Sequence, residues 1–155
     1  MARRYWLMKS EPGTYSIHDL ERDGTTAWDG VRNYRARNFL RDEIQPGDLV
    51  LFHHSNADPP GVAGIAKVAK GGYPDPTQFD RKSKYFDAKA ERSAPRWFLV
   101  DVTFEEKFED VVSLAAMKEE PALDGMWVLK KGMRLSVQPV EKAHFERVRK
   151  MGRAL

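Results

Sequence analysis

The sequence predicts an α+β domain: a small, partly closed β-barrel of five to seven strands with short helices at its periphery. Three observations carry this reading. Apolar runs of strand length recur between turns rich in Pro and Gly. The stretches with helical spacing are short and fall between those runs. No repeat, linker or low-complexity tract divides the 155 residues, so residues 1–155 are expected to form a single domain with a real core.

Residues 4–9 read as the first strand. Tyr5 and Leu7 take one face and Trp6 and Met8 the other, so both faces are apolar, as in a covered strand. Pro12-Gly13 then forces a loop. Ser16 is placed to cap a helix over 17–21, with Asp19 favourably in its first turn. Residues 25–28 read as a short extended run ending on Trp28, followed by the turn signal Asp29-Gly30. Ala36, Phe39, Leu40 and Ile44 then fall at i, i+3, i+4 and i+8, the apolar stripe of a helix. Its start is expected to offer free backbone N–H groups to an anion.

Gln45-Pro46-Gly47-Asp48 is a turn, and 49–54 is a second buried strand. A third covers 62–68, where Gly64 and Ala66 permit close backbone approach. Residues 71–76 read as irregular, and 77–95 as a polar, basic surface excursion of the kind that carries function. Residues 97–104 alternate cleanly and form a strand. A short helix over 113–120 stops at Pro121. A last strand is expected at 133–137, with Pro139 opening a terminal helix to about Gly152.

Composition narrows the chemistry. The apolar fraction of 41% and the 17 aromatics exclude a disordered chain. The absence of Cys excludes disulfides, thiolate zinc sites and a cysteine nucleophile. No signal peptide or membrane span is recognisable, so a soluble cytoplasmic protein with no membrane partner is expected. Net charge is only +3, but it is unevenly spread. Residues 81–96 hold six Lys or Arg and residues 141–155 hold five, whereas residues 101–125 hold eight acids. Separated charge of this kind steers a polyanion to one face.

No catalytic constellation is present. His53 and His54 are neighbours on a strand, point to opposite faces and cannot share a metal ion. Ser55 beside them makes no nucleophile–base pair, and phosphate loops are absent. No metal, no cofactor and no enzymatic activity are therefore expected. What the sequence does place together, at strand ends, is Lys9, Ser10, Trp28, His53, His54, Ser55 and, a little further on, Tyr73. Strand ends of a barrel converge on its mouth. There, Trp28 and Tyr73 would sandwich a flat ring, and Ser10, Asn33 and His54 would bond its edge. Lys9, Arg32, Arg35, Arg37, Lys131 and Arg134 would hold phosphates.

Five stretches together resemble the EVE domain family. They are Tyr5-Trp6-Leu7-Met8-Lys9-Ser10-Glu11-Pro12, then Trp28-Asp29-Gly30-Val31-Arg32-Asn33-Tyr34 through Ala36-Arg37-Asn38-Phe39, then Phe52-His53-His54-Ser55, Gly64-Ile65-Ala66-Lys67-Val68 and Gly132-Met133-Arg134-Leu135-Ser136-Val137-Gln138-Pro139-Val140. The match departs at His53, where the family more often has Tyr. The resemblance implies a PUA-like β-barrel related to ASCH and YTH domains. It also implies a reader of modified bases in nucleic acid, modified cytosine in DNA foremost. Lys9, Ser10 and Trp28 match the side of the family motif that forms the cage, and Asn33 adjoins it. The expected partner is DNA or RNA carrying a modified base, bound by a monomer. Two alternatives stand beside this: an enzyme or small-ligand protein taking a free nucleobase or nucleoside in the same pocket, and a protein-interaction module using the acidic 101–125 face.

Overall fold

The computed structural model describes residues 3–155. Strand β1 (Tyr5–Ser10) is apolar on both faces and is covered on both. It runs parallel to β3 (Leu49–His54), and this register brings Lys9 opposite His53 and Ser10 opposite His54. The remaining strands are β2 (Thr25–Ala27), β4 (Gly61–Pro74), β5 (Phe98–Ser113) and β6 (Val137–Val140). Together they form one sheet in the order β2-β5-β4-β3-β1-β6. The class is α+β, as expected, and six strands fall within the expected range. The sheet is not closed: β2 and β6 are its two edges.

Each face carries its own core. Trp6, Met8, Val50, Phe52 and Trp28 pack on one side, against helix α1 (Ile17–Asp23), helix α2 (Tyr34–Asn38) and the π-helical turn Phe39–Glu43. Leu7, Leu51, Ile65 and Val112 pack on the other, against helix α3 (Leu114–Lys118) and helix α4 (Lys142–Arg153) through Met117, Phe145 and Val148. Helix α1 has the cap its sequence calls for. Ser16 Oγ accepts from the Asp19 amide while the Asp19 carboxylate accepts from the Ser16 amide. The stripe Ala36, Phe39, Leu40, Ile44 is buried throughout, but only its first part is α-helical.

Three elements differ from expectation. β4 continues to Pro74 and β5 to Ser113, well beyond 68 and 104. Their pairing carries four register shifts, and each bulge breaks the two-residue alternation by which a strand is recognised. The last strand is Val137–Val140, and Pro139 lies inside it instead of opening a helix. As an edge strand β6 tolerates a residue with no N–H, so the terminal helix begins at Lys142.

Candidate functional site

The ends of β1 and β2 open into a cleft of about 580 Å³. Lys9 and Ser10 bound it on one side, and the turn from Trp28 to Arg32 on another. Tyr15, Thr26, Lys84, Tyr85 and Ser136 complete much of the wall. The volume lies within the range of ligand-binding clefts and accommodates a flat heterocycle.

Trp28 is predominantly a core side chain, only 8% exposed, and it also lines this cleft. Its ring meets Phe52 edge-on, with centroids 5.3 Å apart and planes at 86°. Its amide donates to Val100 O, which extends the β2–β5 pairing and fixes the backbone at the cleft wall. Ser10 Oγ donates to Tyr15 O at 2.6 Å, tying β1 to the loop before α1. Burial lowers the Lys9 ammonium below its ordinary value.

A buried polar hub builds the opposite wall. Asp75 is fully buried. One carboxylate oxygen accepts from the Gly30 amide at 2.9 Å and from Arg32 at 3.1 Å, and the other from the Thr77 amide and hydroxyl. Burial alone would raise its pKa, but the hydrogen bonds from Thr77, Gly30 and Arg32 prevail and hold it below the ordinary carboxylate range. Arg32 spends the rest of its guanidinium on Val31 O, Thr77 Oγ1 and, twice, Tyr85 O. All five of its N–H groups are thereby committed inside the protein. Gln78 is likewise saturated: its amide nitrogen donates to Asp75 O and Trp97 O, and its oxygen accepts from the Arg96 and Trp97 amides. The excursion after β4 is therefore pinned, and it presses the Tyr85 ring onto Gly30.

Of the residues expected at the site, Lys9, Ser10, Trp28 and Arg32 meet at the cleft. The others are elsewhere, each with a physical reason. Asn33 caps α2, its side chain accepting from the Ala36 amide at 3.0 Å. That bond occupies one of the helix-start donors that were expected to be open to an anion. His54 Nε2 accepts from the Ile17 amide at 3.1 Å, which anchors the start of α1. Burial, then the charge of His18, depresses its pKa. His53 lies on the other face of β3, 3% exposed, with neither ring nitrogen hydrogen-bonded. Burial first, and the nearby Lys9 charge second, push its pKa down to about 4. The Ser55 amide donates to Ser10 O, holding the ends of β3 and β1 together.

Tyr73 belongs to the prolonged β4. Its hydroxyl donates to Asp101 Oδ1 at 2.5 Å, and burial together with that carboxylate raises its pKa. It forms no part of the cleft wall; Tyr85 takes that place. Arg32 lines the cleft but has no N–H left for a phosphate. Arg35 lies over the Trp127 ring and Arg37 over Tyr34, with Arg37 also donating to Arg96 O at 2.7 Å. Lys131 and Arg134 are exposed on the segment leading to β6. Sequence reasoning missed Asp29, Lys84 and Tyr85. The only available signal was the mixture of cations with an aromatic inside the 77–95 excursion.

Residues 4–151 match the family model described as EVE domain. The human protein thymocyte nuclear protein 1 is 40% identical over 160 residues, which span 92% of this chain and 71% of that protein. A solved structure from Pseudomonas syringae superposes with a TM-score of 0.92 at 45% identity, covering 96% of this chain and 99% of its own. Human THYN1, solved in complex with DNA containing 5-methylcytosine, superposes with a TM-score of 0.88 at 39% identity, covering 96% of this chain and 97% of its own. The human, zebrafish and chicken relatives all carry a nuclear name. The cytoplasmic placement expected from composition is thereby corrected.

Proposed function

The chain belongs to the EVE domain family, and from that premise we propose that it is a non-enzymatic nucleic-acid-binding module that reads a modified base, modified cytosine in DNA foremost, in the cleft beside Trp28. The observation that carries this reading is a cleft large enough to admit a nucleobase, with an indole in its wall and Lys9, Ser10 and Lys84 around it. The DNA bound by human THYN1 supports the same assignment. Trp28 stacks on the extruded base, and Ser10 and neighbouring backbone bond its edge. Extruding a paired base costs a few kcal/mol, which the contacts made in the cleft must offset. Arg35, Arg37, Lys84, Lys131 and Arg134 hold the flanking phosphates.

The test is a binding titration by fluorescence anisotropy. Two oligonucleotides differing in one 5-methyl group are compared on the wild type and on Trp28 variants. The wild type is expected to prefer the methylated strand. Loss of base stacking costs about 1–3 kcal/mol, and Trp28→Ala is expected to remove most of the preference. Because truncating a buried Trp destabilises a core by about 3–5 kcal/mol, Trp28→Phe serves as the folded control and is expected to weaken the preference only in part. Equal affinity of the wild type for both strands refutes the reading.

A further inference from the structure

We propose that the Asp29 carboxylate is the group that selects an amino-bearing pyrimidine over a keto pyrimidine in this cleft. The proposal rests on the base-reading assignment above and deepens it by naming the specificity determinant.

Asp29 follows Trp28 directly and lines the same cleft. A ring bound against the indole in this cleft is therefore bound beside the Asp29 side chain. The surrounding turn is rigid. The Asp29 amide donates to Ala27 O at 3.0 Å, and Gly30, at φ +83°, is locked to Asp75. Among the described residues the Asp29 side chain forms no salt bridge, whereas the neighbouring Asp75 is saturated by Gly30, Arg32 and Thr77. The buried acid is thus structural, and the one that lines the cleft has no salt-bridge partner among the described residues. Burial, followed by the Asp75 charge, raises the Asp29 pKa against the opposing pull of Arg32, its own amide and Lys84.

An ionised carboxylate only accepts hydrogen bonds. Cytosine and 5-methylcytosine carry an amino donor at position 4, where thymine and uracil carry a carbonyl acceptor. A fixed acceptor at this point therefore bonds the first pair and repels the second. The 5-methyl group cannot make this distinction, because thymine has it too.

The experiment uses 5-methylcytosine and thymine, each placed opposite an abasic site in one short duplex so that neither base carries a pairing cost. Both are titrated against the full chain, its Asp29→Asn variant and its Asp29→Ala variant. The wild type is expected to prefer 5-methylcytosine by roughly 10- to 100-fold, the range of one good base-edge contact. Asp29→Asn, whose amide both donates and accepts, is expected to narrow that preference to a few-fold, mainly by tighter binding of thymine. Asp29→Ala is expected to narrow it by weaker binding of 5-methylcytosine. If both variants keep the wild-type preference, the assignment to Asp29 is overturned while base reading stands. If the wild type binds both duplexes equally, selection by Asp29 is likewise overturned, while base reading is refuted only by equal affinity for the methylated and plain strands.

Discussion

At the scale of single residues, the cleft shows how one residue type takes different roles according to its partners. Asp75 and Asp29 lie near each other, yet the first is buried and spent on four donors of Gly30, Arg32 and Thr77, and the second lines the open cleft. His53 and His54 are adjacent in sequence, yet His54 holds the start of α1 while His53 has no hydrogen-bond partner among the described residues. His53 makes a pH prediction with a definite sign. In the unfolded chain its ring takes up a proton as pH falls through its ordinary value near 6.5, but in the folded protein only near 4. Between these limits the unfolded state binds the extra proton, so stability falls as pH drops from 6.5 towards 4. At about 1.4 kcal/mol per pH unit, the total is on the order of 3 kcal/mol. His53→Phe is expected to flatten this slope, leaving the smaller contribution of His54, whose pKa is also depressed. Urea midpoints at intervals between pH 4 and 7 check it. Parallel profiles for the two proteins would refute it.

At the scale of elements, the turn after β2 and the excursion after β4 act as one wall. A Cβ on Gly30 would lie 2.5 Å from the Tyr85 ring, at a backbone angle L residues rarely adopt. The Tyr85 backbone cannot simply retreat, because Arg32 holds its carbonyl twice. Gly30→Ala is therefore expected to lose about 1–3 kcal/mol from the backbone angle alone, with a further steric cost. Adding Tyr85→Ala should recover the steric part only, giving a coupling on the order of 1 kcal/mol in a double-mutant cycle followed by thermal melts. Additive losses would show that the ring and the glycine do not press on each other. This wall also marks where the sequence stops being legible. Strands β1 and β3 were readable because their side chains alternate or run apolar without interruption, and Lys9, Ser10 and Trp28 were readable because they end such runs. The continuation of β5 through Glu105, Glu106 and Lys107 was hidden by bulges and charge. Pro139 reads equally as a helix opener or an edge-strand residue, and only the pairing with Trp6 decides. The Asp75–Arg32–Tyr85 hub joins residues 43 and 53 positions apart through polar contacts that follow no period. No local pattern could have announced it.

At the scale of the whole molecule, what separates the cations is whether they are already spoken for. Arg4, Arg22, Arg41, Arg147, Arg149 and Arg153 are ion-paired with neighbouring acids, and Arg32 is enclosed in the hub. Arg35, Lys84, Lys131 and Arg134 form no salt bridge among the described residues, and all four are exposed. Binding to a phosphate backbone releases counterions, so log affinity falls linearly with log salt, by about 0.9 per phosphate neutralised on duplex DNA. Arg35→Ala and Lys131→Ala are each expected to weaken binding by a similar factor on methylated and plain DNA, and to reduce the salt slope by about 1. Arg32→Lys should behave in the opposite way. Lys has three donors and no fork, so the variant loses stability as Asp75 and Tyr85 O lose partners, while its salt slope stays at the wild-type value. Titrations at several salt concentrations, with melting curves for each variant, separate the two classes. A salt slope that drops for Arg32→Lys and holds for Arg35→Ala would mean that the hub guanidinium opens to the nucleic acid on binding and that the exposed helix face stays clear of it. The basic rim would then have to be redrawn around the Asp75 wall.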